Sequence, residues 1–501
     1  MAKKWFASVT AMFSVFCIVL LSQAVVGPTH VTWTPSAAHA DTMYYEARIK
    51  NQSTGAVTQT LDLGKPDPDS ITGKCKAELN TELWTAGTTY TVEVRAVLTN
   101  GRRTAWVMAA HTGQIESVTP PDTSDSIGPQ ASITCPAGAI NIAPGSSIQT
   151  AVNANPNGTK FCLLAGTHSG QQVQPKTGNM FVGQFGAIMD GNHTAVYAFQ
   201  ASTSHPTGVV VKNLEIRNYQ NASQQGAFRG DNGTSWTVIN NSIHDNSQIG
   251  VRMGPSWVVS NNKVYRNGVI GISGYQSNGA TVTNNEVYNN NLSQAPELPV
   301  NAEAAGIKFG VTSGATVSGN NVHHNYAKGI WMDHCTPTTL IEDNIITDNW
   351  HQGIFIEITY NAVVRSNTVE RNALNPAGSR AGIHITNSPN VEVYNNTVRD
   401  NANGITGAQS TGVNATTGAF GPLRTENFYV HDNIVRMARG KTGLTQNTGE
   451  TAVFSTWNNR FVHNTYQLDT DTAFFQWAGV NKTWAQWQTA GQDTTGSMTV
   501  F

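Results

Sequence analysis

An asparagine returns two residues before an isoleucine or valine at Asn241, Asn262, Asn285, Asn320, Asn344, Asn367, Asn396 and Asn433. Steps of 21, 23, 24 and 23 residues recur between them. Short apolar-alternating strands fill each interval. A period in the low twenties built from short strands marks a solenoid, each coil burying its apolar face only against its neighbours. Asparagine at a fixed corner suits a parallel β-helix, where stacked amides can hydrogen-bond from coil to coil. Leucine-rich repeats share the period, but their leucine spacing is absent. The expected fold is all-β, a right-handed parallel β-helix over residues 131–501, preceded by a small β-sandwich.

Two steps are longer, at 35 and 37 residues, and imply insertions near 288–304 and 407–424. Inserted loops on a solenoid can wall a groove. Ser146–Val152 has the pattern of a short capping helix at the front. The last stretch, 461–501, breaks the repeat and gathers Phe474, Phe475, Trp477, Trp484 and Trp487, which suits a cap over the final coil.

Ahead of the repeats, residues 1–40 have the build of a secretory leader. Lys3 and Lys4 precede an apolar run, and Ala38-His39-Ala40 supplies a small-residue cleavage site before Asp41. A secreted, extracellular protein with no membrane span after cleavage is expected. Residues 41–114 resemble a fibronectin type III domain, on the alternation of Tyr90–Ala96 and the Asn100-Gly101 turn. Residues 115–130, rich in Pro, Ser and Asp, form the expected linker. Export permits disulfides, and Cys135 and Cys162 flank one compact segment and could pair. No cysteine or histidine spacing suggests zinc. Net charge is −2 with 12% charged residues, which gives no basic footprint for nucleic acid. A monomer acting on polysaccharide or oligosaccharide is expected.

A second register aligns the coils on Gly250, Gly271, Gly306, Gly329, Gly353 and Gly382. Residues one and three after each glycine are mostly apolar and should face the core. Residues two and four should then face outward, because strand side chains alternate. The outward columns gather Arg252, Lys308, Trp331, Phe355 and His384 beside Tyr275, Asp333, Glu357 and Thr386. Asp333 and Glu357 stand 24 residues apart, one coil, so their backbones should lie ~4.8 Å apart on adjacent rungs. Retaining glycosidases hold their two carboxyls about 5–5.5 Å apart, and aromatic faces beside carboxylates suit sugar rings. Such a pair would divide the roles of nucleophile and acid/base. Candidate substrate contacts are Lys308, Arg252, Tyr275, Trp331, His334 and His384. No cofactor is called for.

Two other readings stay open at this level. A polysaccharide lyase or uronate epimerase would use Lys308 as base and call for Ca²⁺. A wall- or polysaccharide-binding β-helix would use neither acid for turnover.

Ala305-Gly-Ile-Lys308, Gly329-Ile-Trp-Met-Asp333 and Phe355-Ile-Glu357 follow one another within residues 303–370. In order and spacing they resemble the core of the β-helical retaining β-xylosidases, glycoside hydrolase family 120. The resemblance implies that Asp333 is the nucleophile and Glu357 the general acid/base. The family tends to have an aromatic residue where this chain has His334, and a histidine soon after the Glu strand where it has Thr359-Tyr360. Those positions shape the sugar pocket, so the resemblance leaves the sugar open.

Overall fold

The computed structural model describes residues 127–291, 303–373, 380–413, 415–470 and 473–501, and before them eight strands between Cys17 and Gln114. Most of residues 1–40, linker residues 115–126 and most of the first insertion, 292–302, lie outside the described residues. The chain divides into two units, Met1–Thr123 and Ser124–Phe501.

The second unit is a right-handed parallel β-helix with three faces, two of 13 strands and one of 12. Each coil gives one strand to each face. One coil, for example, runs Thr316–Ser318, Asn321–His323, Lys328–Asp333. Inward side chains meet their equivalents one coil away. Val259, Val282, Val317, Ile341, Val364 and Val393 form one such file, all fully buried. Burying a side chain of this size contributes about 1.5–3 kcal/mol, and the repeat multiplies that gain. Larger residues stack in the same way: Phe161 on Phe181 at 5.1 Å and Trp236 on Trp257 at 4.6 Å.

The asparagine column lies at the corner between the first and second faces. Each Nδ2 donates to the Oδ1 one coil on: Asn241 to Asn262 at 3.0 Å, Asn320 to Asn344 at 3.0 Å, Asn344 to Asn367 at 2.9 Å. The file ends when Asn464 donates to Asp493 at 2.9 Å. The residue before each ladder asparagine turns the corner in left-handed backbone: Asn240, Asn261 and Asn284 at φ 55°, Asp343 at 56°, Asn395 at 53°. Asn and Asp tolerate this region better than other non-glycine residues. This explains the recurring Asn-Asn pairs, in which the first residue turns and the second bridges.

A second ladder was not foreseen. Asn246, Asn267, Asn290, Asn325, Asn349, Asn372 and Asn401 bridge the next corner in the same way, Asn325 to Asn349 at 2.9 Å and Asn349 to Asn372 at 2.9 Å. Every member is buried, and each satisfies backbone groups that a tight corner would otherwise leave unpaired.

A helix, Ile148–Ala154, opens the unit, with Ser147 accepting from the Thr150 N–H as its cap. At the far end Phe475, Trp477 and Trp487 pack on Phe461 and Tyr466. Cys135 and Cys162 form a disulfide with Cα atoms 5.5 Å apart, and Cys335 is free and buried. Residues 127–130, at the end of the expected linker, are hydrogen-bonded to the coils. The Gly128 N–H donates to the Asn261 carbonyl at 2.7 Å, and the Gln130 N–H to Asn213 Oδ1 at 2.6 Å.

In the first unit Thr42–Asn51 is flanked by Val57–Asp62 and Thr89–Leu98 in an antiparallel sheet, with Val107–Met108 and Gly113–Gln114 both pairing Thr89–Leu98. Tyr45, Ala47, Ile49, Val94, Ala96 and Val97 are buried. A separate sheet joins Cys17–Ile18, Thr29–Trp33 and Cys75–Leu79. Among the described residues no helix is long and apolar enough to cross a membrane.

Candidate functional site

The third face carries the acids. Lys328–Asp333 and Ile354–Glu357 pair in parallel, with Asp333 opposite Glu357 and Trp331 opposite Phe355. Ala305–Gly310 pairs on the other side, bringing Lys308 opposite Trp331. The column that sequence alternation placed outside the coil is outside, but it is not open to water. Trp331 is 5% exposed, Phe355 8% and Lys308 8%. The rings stack along the helix axis, Trp331 on Phe355 at 5.9 Å and Phe355 on His384 at 5.5 Å.

Lys308 Nζ lies 3.1 Å from Asp333 Oδ2 and 2.5 Å from Glu303 Oε2. The Trp331 Nε1–H donates to Glu357 Oε2 at 3.1 Å. The two acids therefore have unlike neighbours, a cation for Asp333 and a neutral donor for Glu357. Burial first, and Asp333 second, hold the Glu357 carboxyl above the usual range, against Lys328, Lys308 and the Trp331 N–H.

A groove of about 550 Å³ opens beside Asp333. Arg252, Tyr275, Lys308, Asp333 and His334 line it, with Glu303 and Gln224. Trp331, Glu357 and His384 do not line it. His384 is buried, its Nδ1 2.7 Å from Thr406 Oγ1 and its Nε2 2.9 Å from Thr386 Oγ1, and burial pushes its pKa down to about 4. Both ring nitrogens are engaged, and the ring forms the end of the aromatic stack. Arg252 holds Asp231 at 2.6 Å and sits 5.8 Å from the Tyr275 ring centroid. Tyr275 is 49% exposed, the open aromatic surface of the groove. Val311 and Ile358, on the lip, hold left-handed backbone at φ 50° and 41°. For β-branched residues this conformation is costly, of order 1–3 kcal/mol, and such strain gathers at functional sites.

The second insertion reaches the same lip. Its hairpin, Thr417–Gly418 with Gly421–Pro422, is held by the Tyr360 O–H donating to the Gly421 carbonyl at 2.6 Å. Ile358, Tyr360 and Leu423 pack together, and Phe420 at the tip is 60% exposed.

Sequence reasoning missed Lys328. It counted alternation through the glycine, but Gly329 and Ile330 both face inward. A Cβ on Gly329 would lie 2.8 Å from Ile346 Cγ2 and 3.0 Å from Asn349 Nδ2, inside the coil. The residue before the glycine is thereby thrown to the Trp331 side. Lys328 Nζ sits 3.7 Å from the indole centroid and Lys308 Nζ 3.4 Å. Burial, then Lys308, push the Lys328 pKa down to about 8, against Glu357, Glu303 and Asp333. A lysine next to the repeat's glycine was the signal available. Among the described residues no group of three or more His, Cys, Asp or Glu could hold a metal ion.

Fold and groove together define a parallel β-helix protein with a groove beside Asp333 on one face. The chain belongs to the right handed beta helix region family, whose model matches residues 187–342 and 300–467. No curated protein matches it. Among solved structures it is similar to the complex of XylC with xylose, at 11% identity and TM-score 0.49, over 64% of this chain and 80% of that one. The Azotobacter vinelandii mannuronan C-5 epimerase AlgE6 A-module is similar at 13% and 0.45, over 70% and 92%. The Yersinia enterocolitica family 28 exopolygalacturonase is similar at 10% and 0.33, over 90% and 95%.

Proposed function

We propose that this chain is a secreted, monomeric retaining glycoside hydrolase acting on polysaccharide or oligosaccharide fragments, with Asp333 as nucleophile and Glu357 as general acid/base. The observation that carries the reading is the register of the two acids on adjacent strands, with unlike surroundings. Lys308 sets a cation beside Asp333, the group that would attack an anomeric carbon. Burial and Asp333 raise the Glu357 pKa, which suits a group that gives a proton to the leaving oxygen. Unlike surroundings for two neighbouring carboxyls suit the double displacement, in which the two play different parts. The resemblance of residues 303–370 to the β-helical β-xylosidases supports the same roles. Arg252, Tyr275, Lys308 and His334 would contact the sugar in the groove, and Trp331 and His384 would brace it from behind. No cofactor enters this chemistry.

A lyase would need Lys308 as a neutral amine. Its Nζ is already engaged by both Glu303 and Asp333, which weighs against that reading.

The test is a panel of aryl glycosides and uronate polysaccharides, given to the protein and to Asp333→Asn and Glu357→Gln. Both variants should lose aryl alcohol release. Glu357→Gln should lose about 10²–10⁴-fold on 4-nitrophenyl glycosides and far less on 2,4-dinitrophenyl ones, whose leaving group needs no acid. Absorbance from an unsaturated uronate would establish the lyase instead. Silence on every substrate would leave a binding β-helix.

A further inference from the structure

Outside the two acids, the most unusual chemistry on this face is a buried indole with an ammonium group close to it from each of two coils. Lys308 Nζ and Lys328 Nζ lie 3.4 and 3.7 Å from the centroid of Trp331. Cations at this range are drawn to an aromatic ring, and more strongly where water is excluded. The same indole turns its N–H to Glu357 Oε2 at 3.1 Å. Lys308 has a second duty, since it pairs with Asp333 and Glu303.

We infer that Lys328 is a positioning residue for the acid/base: acting through Trp331, it fixes the indole so that its N–H orients the Glu357 carboxyl, and its charge sets how readily that carboxyl releases its proton. The inference rests on the glycosidase reading for its purpose, though the linkage itself can be measured without turnover.

Glu357 faces Asp333, which favours its protonated form, and Lys328, Lys308 and the Trp331 N–H, which favour the anion. Lys328 in turn faces Lys308, Glu357, Glu303 and Asp333, and bears on His351, which also faces Arg380. Burial alone would leave Glu357 reluctant to ionise at all. An acid/base must give up its proton in one step and take one back in the next, so its affinity for the proton has to be moderate. Lys328 supplies the opposing charge. Because its own pKa is lowered to about 8, that charge is full in acid and fades as pH rises through 8.

The test follows Glu357 in two ways on the full chain. The protein is labelled with 5-fluorotryptophan, and the Trp331 ¹⁹F signal is assigned by its loss in Trp331→Phe. Its titration should show an inflection that Glu357→Gln removes. Lys328→Met, or Lys328→Gln should the former not fold, should move that inflection upward by about one pH unit, as loss of a close opposite charge does. Lys328→Arg should leave it near its original place. In parallel, the basic limb of kcat/KM on a 4-nitrophenyl glycoside should move upward in Lys328→Met by the same amount. A folded Lys328→Met with an unmoved inflection would overturn the inference, as would an equal shift in Lys328→Arg. A moved inflection without any glycoside hydrolysis would keep the linkage and remove the glycosidase reading.

Discussion

Replacing Asn344 by aspartate changes one nitrogen to oxygen in the middle of the first ladder. Asn344 is 1% exposed. Its Oδ1 accepts from the Asn320 N–H and Nδ2, each at 3.0 Å. Its Nδ2 donates to the carbonyls of Val317 and Glu342 and to Asn367 Oδ1, each at 2.9 Å. Asn344→Ala removes all of these and orphans the Asn320 N–H. One buried orphan costs about 1–3 kcal/mol and each of the other four lost bonds about 0.5–1.5, so a loss of about 3 kcal/mol or more is expected. Asn344→Asp keeps the accepting oxygen but points the second at three acceptors. A buried carboxylate whose second oxygen faces only acceptors has its pKa raised, and at 1.36 kcal/mol per unit a rise of about 3 units or more costs about 4 kcal/mol at pH 7. A raised folded-state pKa means that this penalty is absent below the unfolded value near 3.9 and grows as pH rises toward the folded value. Protonated, the acid can donate to one of the three oxygens. Denaturant unfolding followed by tryptophan fluorescence, at about pH 4 and pH 7 against wild type, measures the difference. Asn344→Asp should lose stability relative to wild type between pH 4 and pH 7, whereas Asn344→Ala should track wild type across that range. Parallel pH dependences for the two variants would refute the argument that the ladder polarity is fixed.

At the ladder's end, Asp493 accepts from Asn464 on one oxygen and from Tyr466 O–H and Trp487 Nε1–H on the other, at 2.8 and 3.0 Å. Asp493→Asn would turn an NH₂ toward the Trp487 N–H and should cost about 1–3 kcal/mol in denaturant unfolding. Val311→Asn relieves a β-branched residue in left-handed backbone, and should raise the stability by up to about 1 kcal/mol while leaving the acid pair in place; calorimetry and the aryl glycoside assay read the two effects separately.

The solenoid was legible because its period is written in side chains that bond to the same residue type one coil on. Asn262 must find Asn285, and a single misplaced coil would leave both unpaired. The second ladder escaped because its asparagines follow varied corner residues, such as Arg266, His324 and Arg371, which mask the repeat. The acid pair was legible for the same reason as the coils: equal offsets from Gly329 and Gly353 put Asp333 opposite Glu357. Lys328 was not, since alternation fails where a glycine and the residue after it both turn inward. Nor was the burial of Trp331 and Phe355 readable, because side-chain stacking between coils and the cover over it depend on residues distant in sequence. Cys135 and Cys162 were candidates for pairing on position alone, and the fold brings them into one disulfide.

The hairpin 417–422 is long enough to change the groove's lip, yet it enters and leaves the chain at a corner, away from the strand pairing that sets Asp333 against Glu357. The distance between the acids is thus a property of the backbone ladder, and the shape of the cleft a property of the loops. Variation can act on one without disturbing the other. A lineage of such proteins could redraw the rim, residue by residue, while the strand register beneath it is inherited unchanged.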